Sequence, residues 1–240
     1  MSNEVVILGA GPNADVMVQS DRTHRAIRTS ARPWEHDSGG HYRVASRSGA
    51  ITGAGVVAGG PLFSYQWNPT GGMVAALLRC RAYYIPTVAF TAAQELGLDL
   101  VHVTGFTVAD STGTPIVPTG MRKNMPASQT SDCRIAPATI LTAGTRVVDT
   151  TSVLEIGGGV VNVANAAAGT AYVNPSSGGM PQFGFDYDPL MRGEMPLIMT
   201  RGEGFLVRNT VVFPAAGTCT LVVLASIVEF PSANSLILGV

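Results

Sequence analysis

Four arginines, Arg22, Arg25, Arg28 and Arg32, recur every three or four residues ahead of the first clear strand pattern. Three residues of extended chain span about 10 Å, so successive guanidiniums reach separate partners and could grip phosphates or carboxylates bidentately. Asp21, Glu35 and Asp37 offset part of this charge, and no aromatic residues alternate with the four arginines as binding of single strands requires. The pattern favours contact with another protein over contact with nucleic acid.

Other residues with chemical potential are less well placed. Residues 5–14 run from an apolar strand into Gly9-Ala10-Gly11, as a flavin- or nicotinamide-binding Rossmann unit does. Such a unit then needs a helix to hold the pyrophosphate and a second strand ending in an acid. Residues 15–32 show no helical apolar stripe, so a strand and a tight turn are expected instead. His36, Asp37 and His41 are near neighbours, but their spacing matches no standard zinc pattern. Asp186 and Asp188 flank Tyr187 as alternate residues, which suits a turn or a solvated strand face better than an acid and base pair. The chain has no Gly-x-Ser-x-Gly elbow, and Cys80, Cys133 and Cys219 are widely separated, so reduced, buried thiols are expected. No catalytic, cofactor-binding or metal-binding residue is assigned, and the chain is not expected to be an enzyme.

Strand patterns surround these positions. Val74, Ala76, Leu78, Cys80, Ala82 and Tyr84 alternate with Arg79, Arg81 and Tyr83, which predicts a half-buried strand with the first six on one face. Phe63, Tyr65 and Trp67 alternate just before it, with a turn at residues 68–72, giving a first hairpin. A second hairpin is expected from Phe205, Val207, Asn209, Val211 and Phe213, a turn at 214–217 and a return over 218–230. Further strands are expected at 41–45, 98–108, 145–148, 153–156, 160–163 and 196–200. One short helix is expected, with Thr91 as N-cap, Gln94 three residues on and Gly97 as its end. The expected fold is all-β, a β-sandwich of jelly-roll type, with an extended N-terminal arm over residues 1–39 and the sandwich over 40–240.

Composition sharpens this. Charged residues are only 13% of the 240, and 48–78 and 156–185 contain none, against a usual share of about 25%. A domain so short of charge is expected to cover much of its surface with neighbouring protein. Net charge is −1 and the pI about 6.4, which provides no global field for nucleic acid or anionic lipid. The amino terminus lacks a basic region and a long apolar core, so synthesis inside the cell is expected. The most apolar stretch, 211–228, is broken by Pro214 and Gly217 and reads as part of a hairpin, not a membrane span.

Several stretches stand out in order: His24-Arg25-Ala26-Ile27-Arg28, Gly40-His41-Tyr42-Arg43, the aromatic strand through Trp67, and Arg134-Ile135-Ala136 followed by Leu141-Thr142-Ala143-Gly144-Thr145. Gly193-Glu194-Met195-Pro196-Leu197, then Gly202-Glu203-Gly204-Phe205 with Ala216-Gly217-Thr218 and Val228-Glu229, complete the set. Through them the chain resembles a group of tailed-bacteriophage virion proteins of uncertain role. The resemblance implies a structural protein of the virion and brings no catalytic residues or cofactor. The reading it supports is a capsid-associated decoration or cement protein (a minor capsid protein). It would be made in the host cytoplasm and bind the major capsid protein and copies of itself, most simply as a trimer, with Arg22, Arg25, Arg28 and Arg32 as partner-binding residues. A tail or collar component is the alternative. More distant ones are a Rossmann-type oxidoreductase and a sugar-binding module using Tyr65, Trp67 and Tyr83.

Overall fold

In the computed structural model, the described residues are 5–7, 17–20, 27–28, 40–53, 56–69, 72–88, 94–121, 128, 132–152, 157–161, 184–213 and 217–230. The chain divides into two compact units, Met1–His36 and Asp37–Val240. In the first, β1 (Val5–Ile7), β2 (Met17–Ser20) and β3 (Ile27–Arg28) form an antiparallel meander. Only nine residues separate β1 from its antiparallel partner β2, whereas a nucleotide-binding unit follows its first strand with a helix and a parallel strand.

The described part of the second unit is nearly all β. Its strands are β4 (Gly40–Arg47), β5 (Ile51–Thr52), β6 (Pro61–Gln66), β7 (Val74–Val88), β8 (Gln94–Phe106), β9 (Thr114–Pro115), β10 (Thr119–Gly120), β11 (Asp132–Ile135) and β12 (Arg146–Ser152). After them come β13 (Gly157–Val161), β14 (Gly184–Tyr187), β15 (Leu197–Met199), β16 (Gly204–Asn209) and β17 (Thr218–Phe230). They build two antiparallel sheets. The first has the order β10-β4-β17-β7-β14, with β15 also on β7 and β5 on β17; the second has the order β12-β8-β16-β6-β11-β9, with β13 also on β8. One apolar core takes side chains from both, including Val44, Leu77, Cys80, Tyr84 and Leu221 from the first and Phe63, Tyr65, Leu98, Leu100 and Phe205 from the second. That shared core makes the pair a sandwich.

Pairing is nested. β4 pairs with β17, β6 with β16, β7 with β14 and β15, and β8 with β12 and β13, so each strand meets a partner further along the chain and the separation shrinks inward. This corrects both expected hairpins. β6 and β7 lie in different sheets, as do β16 and β17, so each connection is an arch across the core. Gly217, with φ 90°, lets the chain enter β17 in a left-handed conformation closed to most residues. Residues 214–216 lie outside the described residues.

The expected helix is also corrected. Gln94–Gly97 opens β8, and Leu96, Leu98 and Leu100 all enter the core, which is period 2 and not period 3.6. The expected N-cap, Thr91, lies outside the described residues. Among the described residues the helical turn at Leu190–Arg192 is 3-10, and Gly193 ends it with φ 72°.

β7 carries the third correction. Its expected single apolar face is split at a bulge: Ser226 of β17 pairs with Arg79 but Ile227 pairs with Leu77, which leaves Leu78 as the extra residue. On one side of the bulge Cys80, Ala82 and Tyr84 face the shared core; on the other, Ala75 and Leu77 do. Val74 and Ala76 instead join Val228 and Phe230 in a separate apolar cluster, against which Leu78 packs.

Candidate functional site

The strand phases that fill the core also decide what the first sheet shows on its other side. On β4, Tyr42 and Val44 are buried, so Arg43, Ala45 and Arg47 point outward and are exposed. On β7, past the bulge, Cys80, Ala82 and Tyr84 go inward, so Arg79, Arg81 and Tyr83 go outward. β17 lies between these two strands and sets the rows. Arg43, Ser226 and Arg79 are cross-strand neighbours, then Ala45, Leu224 and Arg81, then Arg47, Val222 and Tyr83. Strands lie about 4.8 Å apart, so Arg43 and Arg79 stand about 10 Å apart across the sheet.

β14 supplies the acids at one edge. Asp186 is the register partner of Arg81 and accepts two hydrogen bonds from Arg79, from Nε at 3.1 Å and from Nη2 at 2.7 Å. Arg81 Nε lies 3.6 Å from the same carboxylate, and Asp188 lies 3.7 Å from Arg79. The hydrogen bonds to Asp186, reinforced by its charge, raise the pKa of Arg79 above its usual value. Arg79 nevertheless keeps half of its side chain in solvent. Away from this edge, Arg47 Nε donates to Thr220 Oγ1 at 3.2 Å, and the His41 ring pairs with the Ser226 hydroxyl at 2.6 Å. Among the described residues neither Arg43 nor Arg47 has a carboxylate partner. Arg79 and Arg81 thus take the two carboxylates of this edge, and Arg43 and Arg47 leave a surplus of two positive charges among these six residues, on a chain whose net charge is −1. Leu224, 37% exposed, lies among them.

The outward face of the second sheet is built differently. Asp99 and Arg208 are register partners joined by two hydrogen bonds of 3.1 and 2.5 Å. Asp132 accepts from Arg134 Nε at 2.7 Å. Asp110, wholly buried, is paired to Arg146 and also accepts from the Gly144 amide at 2.8 Å. Burial lowers the pKa of Arg146, and the charge of Arg208 adds to that effect. Val103, Phe106 and Leu206 form an apolar cluster with Val148 packed on it. Each of these arginines has its own aspartate.

The expected partner-binding residues are Arg22, Arg25, Arg28 and Arg32. Arg22, Arg25 and Arg32 lie outside the described residues, and Arg28 ends β3. Gly9, Gly11, His36 and Asp37 also lie outside them. Among the described residues no three His, Cys, Asp or Glu side chains cluster as metal ligands, and no helix is long and apolar enough to cross a membrane. Cys80, Cys133 and Cys219 are free and buried. Burial raises all three thiol pKa values, that of Cys219 to about 12. Tyr65 and Trp67, the aromatics considered for sugar binding, are core residues with no exposed surface, and Phe205 stacks on Tyr65 at 5.2 Å between ring centroids. Asp186 and Asp188 serve as counter-charges to the arginines.

The face containing Arg43, Arg47, Arg79 and Arg81 was missed, although a signal for it is present. Arg43 and Arg47 are four residues apart, an even number, so they share a face of any strand that contains both. Nothing local says that β4 and β7 flank the same strand. No protein-family model matches this chain, and no curated protein matches it.

Proposed function

We propose that this chain is a structural protein of a tailed-bacteriophage virion, a decoration or cement subunit that docks on the shell of major capsid protein and on sister subunits. We further propose that the sandwich is a jelly roll. Nested pairing supports that name: the ribbon running from β4/β17 through β6/β16 and β7/β14 to β8/β12 alternates between the sheets until its inner end. The resemblance in sequence supports the virion, and the scarcity of charge supports a surface covered by other protein.

The observation that carries the docking role is the outward face of the first sheet. It is a broad strand surface on which Arg43 and Arg47 lack carboxylate partners among the described residues, while the second sheet's arginines are paired. Guanidiniums without carboxylate partners beside a partly exposed leucine suit a partner surface better than they suit water.

Counting copies of the chain per purified particle by quantitative mass spectrometry tests this reading. A number matching the shell lattice is expected. A single small ring would move the protein to the tail or collar, and absence from washed particles would end the virion reading.

A further inference from the structure

We infer that the outward face of the first sheet binds an extended acidic segment of another protein, one that presents carboxylate, apolar and carboxylate side chains at positions i, i+2 and i+4. This rests on the proposed docking role of the face and not on its place in a virion.

The spacing comes from β4. Arg43, Ala45 and Arg47 are alternate residues that face the same way, all exposed. Arg43 and Arg47 are therefore about 13 Å apart along the strand, with Ala45 midway. On β17, Leu224 is the cross-strand neighbour of Ala45, and Val222 is that of Arg47. A segment extended alongside them has the same two-residue repeat of about 6.8 Å. An acid opposite Arg43 puts the next residue on that side over Ala45 and Leu224, and the following one opposite Arg47. The order is acid, apolar, acid.

Chemistry selects a carboxylate. At the β14 edge Asp186 already meets Arg79 side-on through two hydrogen bonds, the geometry that a partner's Glu or Asp would repeat at Arg43; at Arg47, whose Nε donates to Thr220, a carboxylate would be met by the Nη groups. Charge complementarity points the same way, since two of the four arginines have no carboxylate partner among the described residues. The apolar middle argues against a phosphate polymer. A nucleic-acid backbone brings charge but nothing to cover Leu224, which is 37% exposed, and Tyr83 is the single aromatic in these rows, too few for a stacking platform. On the second sheet Asp99, Asp110 and Asp132 are each held by an arginine, which favours a different protein over a second copy as the partner.

Two synthetic probes and the full chain test this: a peptide with the core Glu-Ser-Leu-Ser-Glu, and a short DNA duplex, each titrated at low and at physiological salt. The intact chain should bind the peptide more tightly than the duplex, and added salt should weaken the complex. The double variant Arg43→Ala/Arg47→Ala should lose about two- to thirtyfold in affinity, as two exposed charge pairs together imply. Leu224→Ser should lose less, and melting curves should show all variants folded. Preference for the duplex, no binding to the peptide, or equal binding by intact and double-variant chains would each overturn the inference. None of these results depends on finding the chain in particles, so a failure here is separable from a failure of the virion reading.

Discussion

The two outward faces of the sandwich handle arginine in opposite ways. On the second sheet Arg208, Arg134 and Arg146 are each matched to an aspartate, and the Asp110–Arg146 pair is withdrawn from solvent. On the first sheet Arg79 and Arg81 crowd one aspartate at the edge, while Arg43 and Arg47 stand exposed. The same residue type stabilises one face and keeps the other available. Burial decides which: a guanidinium removed from water needs its counter-charge in place, whereas an exposed one gains little from an internal partner and keeps its donors for another molecule.

Removing the bulge should have the largest effect. Deleting Leu78 restores strict alternation in β7, so either Val74 and Ala76 must exchange faces with Ala75 and Leu77, or Arg79 and Arg81 must turn into the core. Either choice misplaces packed side chains or buries guanidiniums, a loss that is large against the stability of a domain, about 5–15 kcal/mol. The deletion variant should show no cooperative melting by circular dichroism. A native-like transition would mean that the bulge is not what sets the arginine face.

Asp110→Ala should come next. It leaves Arg146 buried without its carboxylate, and truncating one member of a buried pair costs about 3–5 kcal/mol. Denaturant titration measures this. A loss below 1 kcal/mol would contradict the description of the second face as closed and internally neutralised.

Alkali acts on the core that both faces share. Burial pushes the Cys219 thiol from 9.0 to about 12, and burial with the nearby charge of Glu229 pushes the Tyr42 hydroxyl from 10.0 to about 12. Both groups hold their protons more tightly folded than unfolded, so their contribution is complete below pH 9 and is lost as pH climbs toward 12. Melting temperature should fall across that window, and thiol reagents should label Cys219 slowly until it does. Fast labelling at neutral pH would show the core to be open.

Much of this fold could be read from the sequence because a half-buried strand writes its phase in alternate residues. Phe63, Tyr65 and Trp67, and likewise Phe205 and Val207, are core residues as their alternation requires. What alternation does not carry is the identity of the neighbour. The turns at 68–72 and 214–217 have the composition of hairpin turns, yet they join strands of opposite sheets, because partner choice depends on contacts as distant as β4 with β17. The bulge was equally silent: Val74 to Tyr84 looks like one apolar face, and only pairing with β17 exposes the slip at Leu78. At the start of β8 the spacing of Thr91, Gln94 and Gly97 imitates a helix cap, but Leu96, Leu98 and Leu100 need a strand to reach the core. The arginine face was hidden for the same reason as the hairpins, since it needs β4 and β7 on either side of β17.

Arg43→Ala and Arg47→Ala should have the smallest effect on stability, within about 0.5 kcal/mol of the intact chain, as is usual for exposed positions. A substantially larger loss in denaturant titration would place these arginines in the fold instead of on a docking surface.

Arginine footprinting of the chain, free and in assembled particles, tests the contrast between the faces most directly. In the free chain a dicarbonyl reagent should modify Arg43 and Arg47 fastest, Arg79 and Arg81 more slowly, and Arg146 and Arg208 least. In particles Arg43 and Arg47 should become protected, with Arg146 and Arg208 unchanged. Undiminished labelling of Arg43 and Arg47 in particles, or rapid labelling of Arg146 in the free chain, would contradict the account.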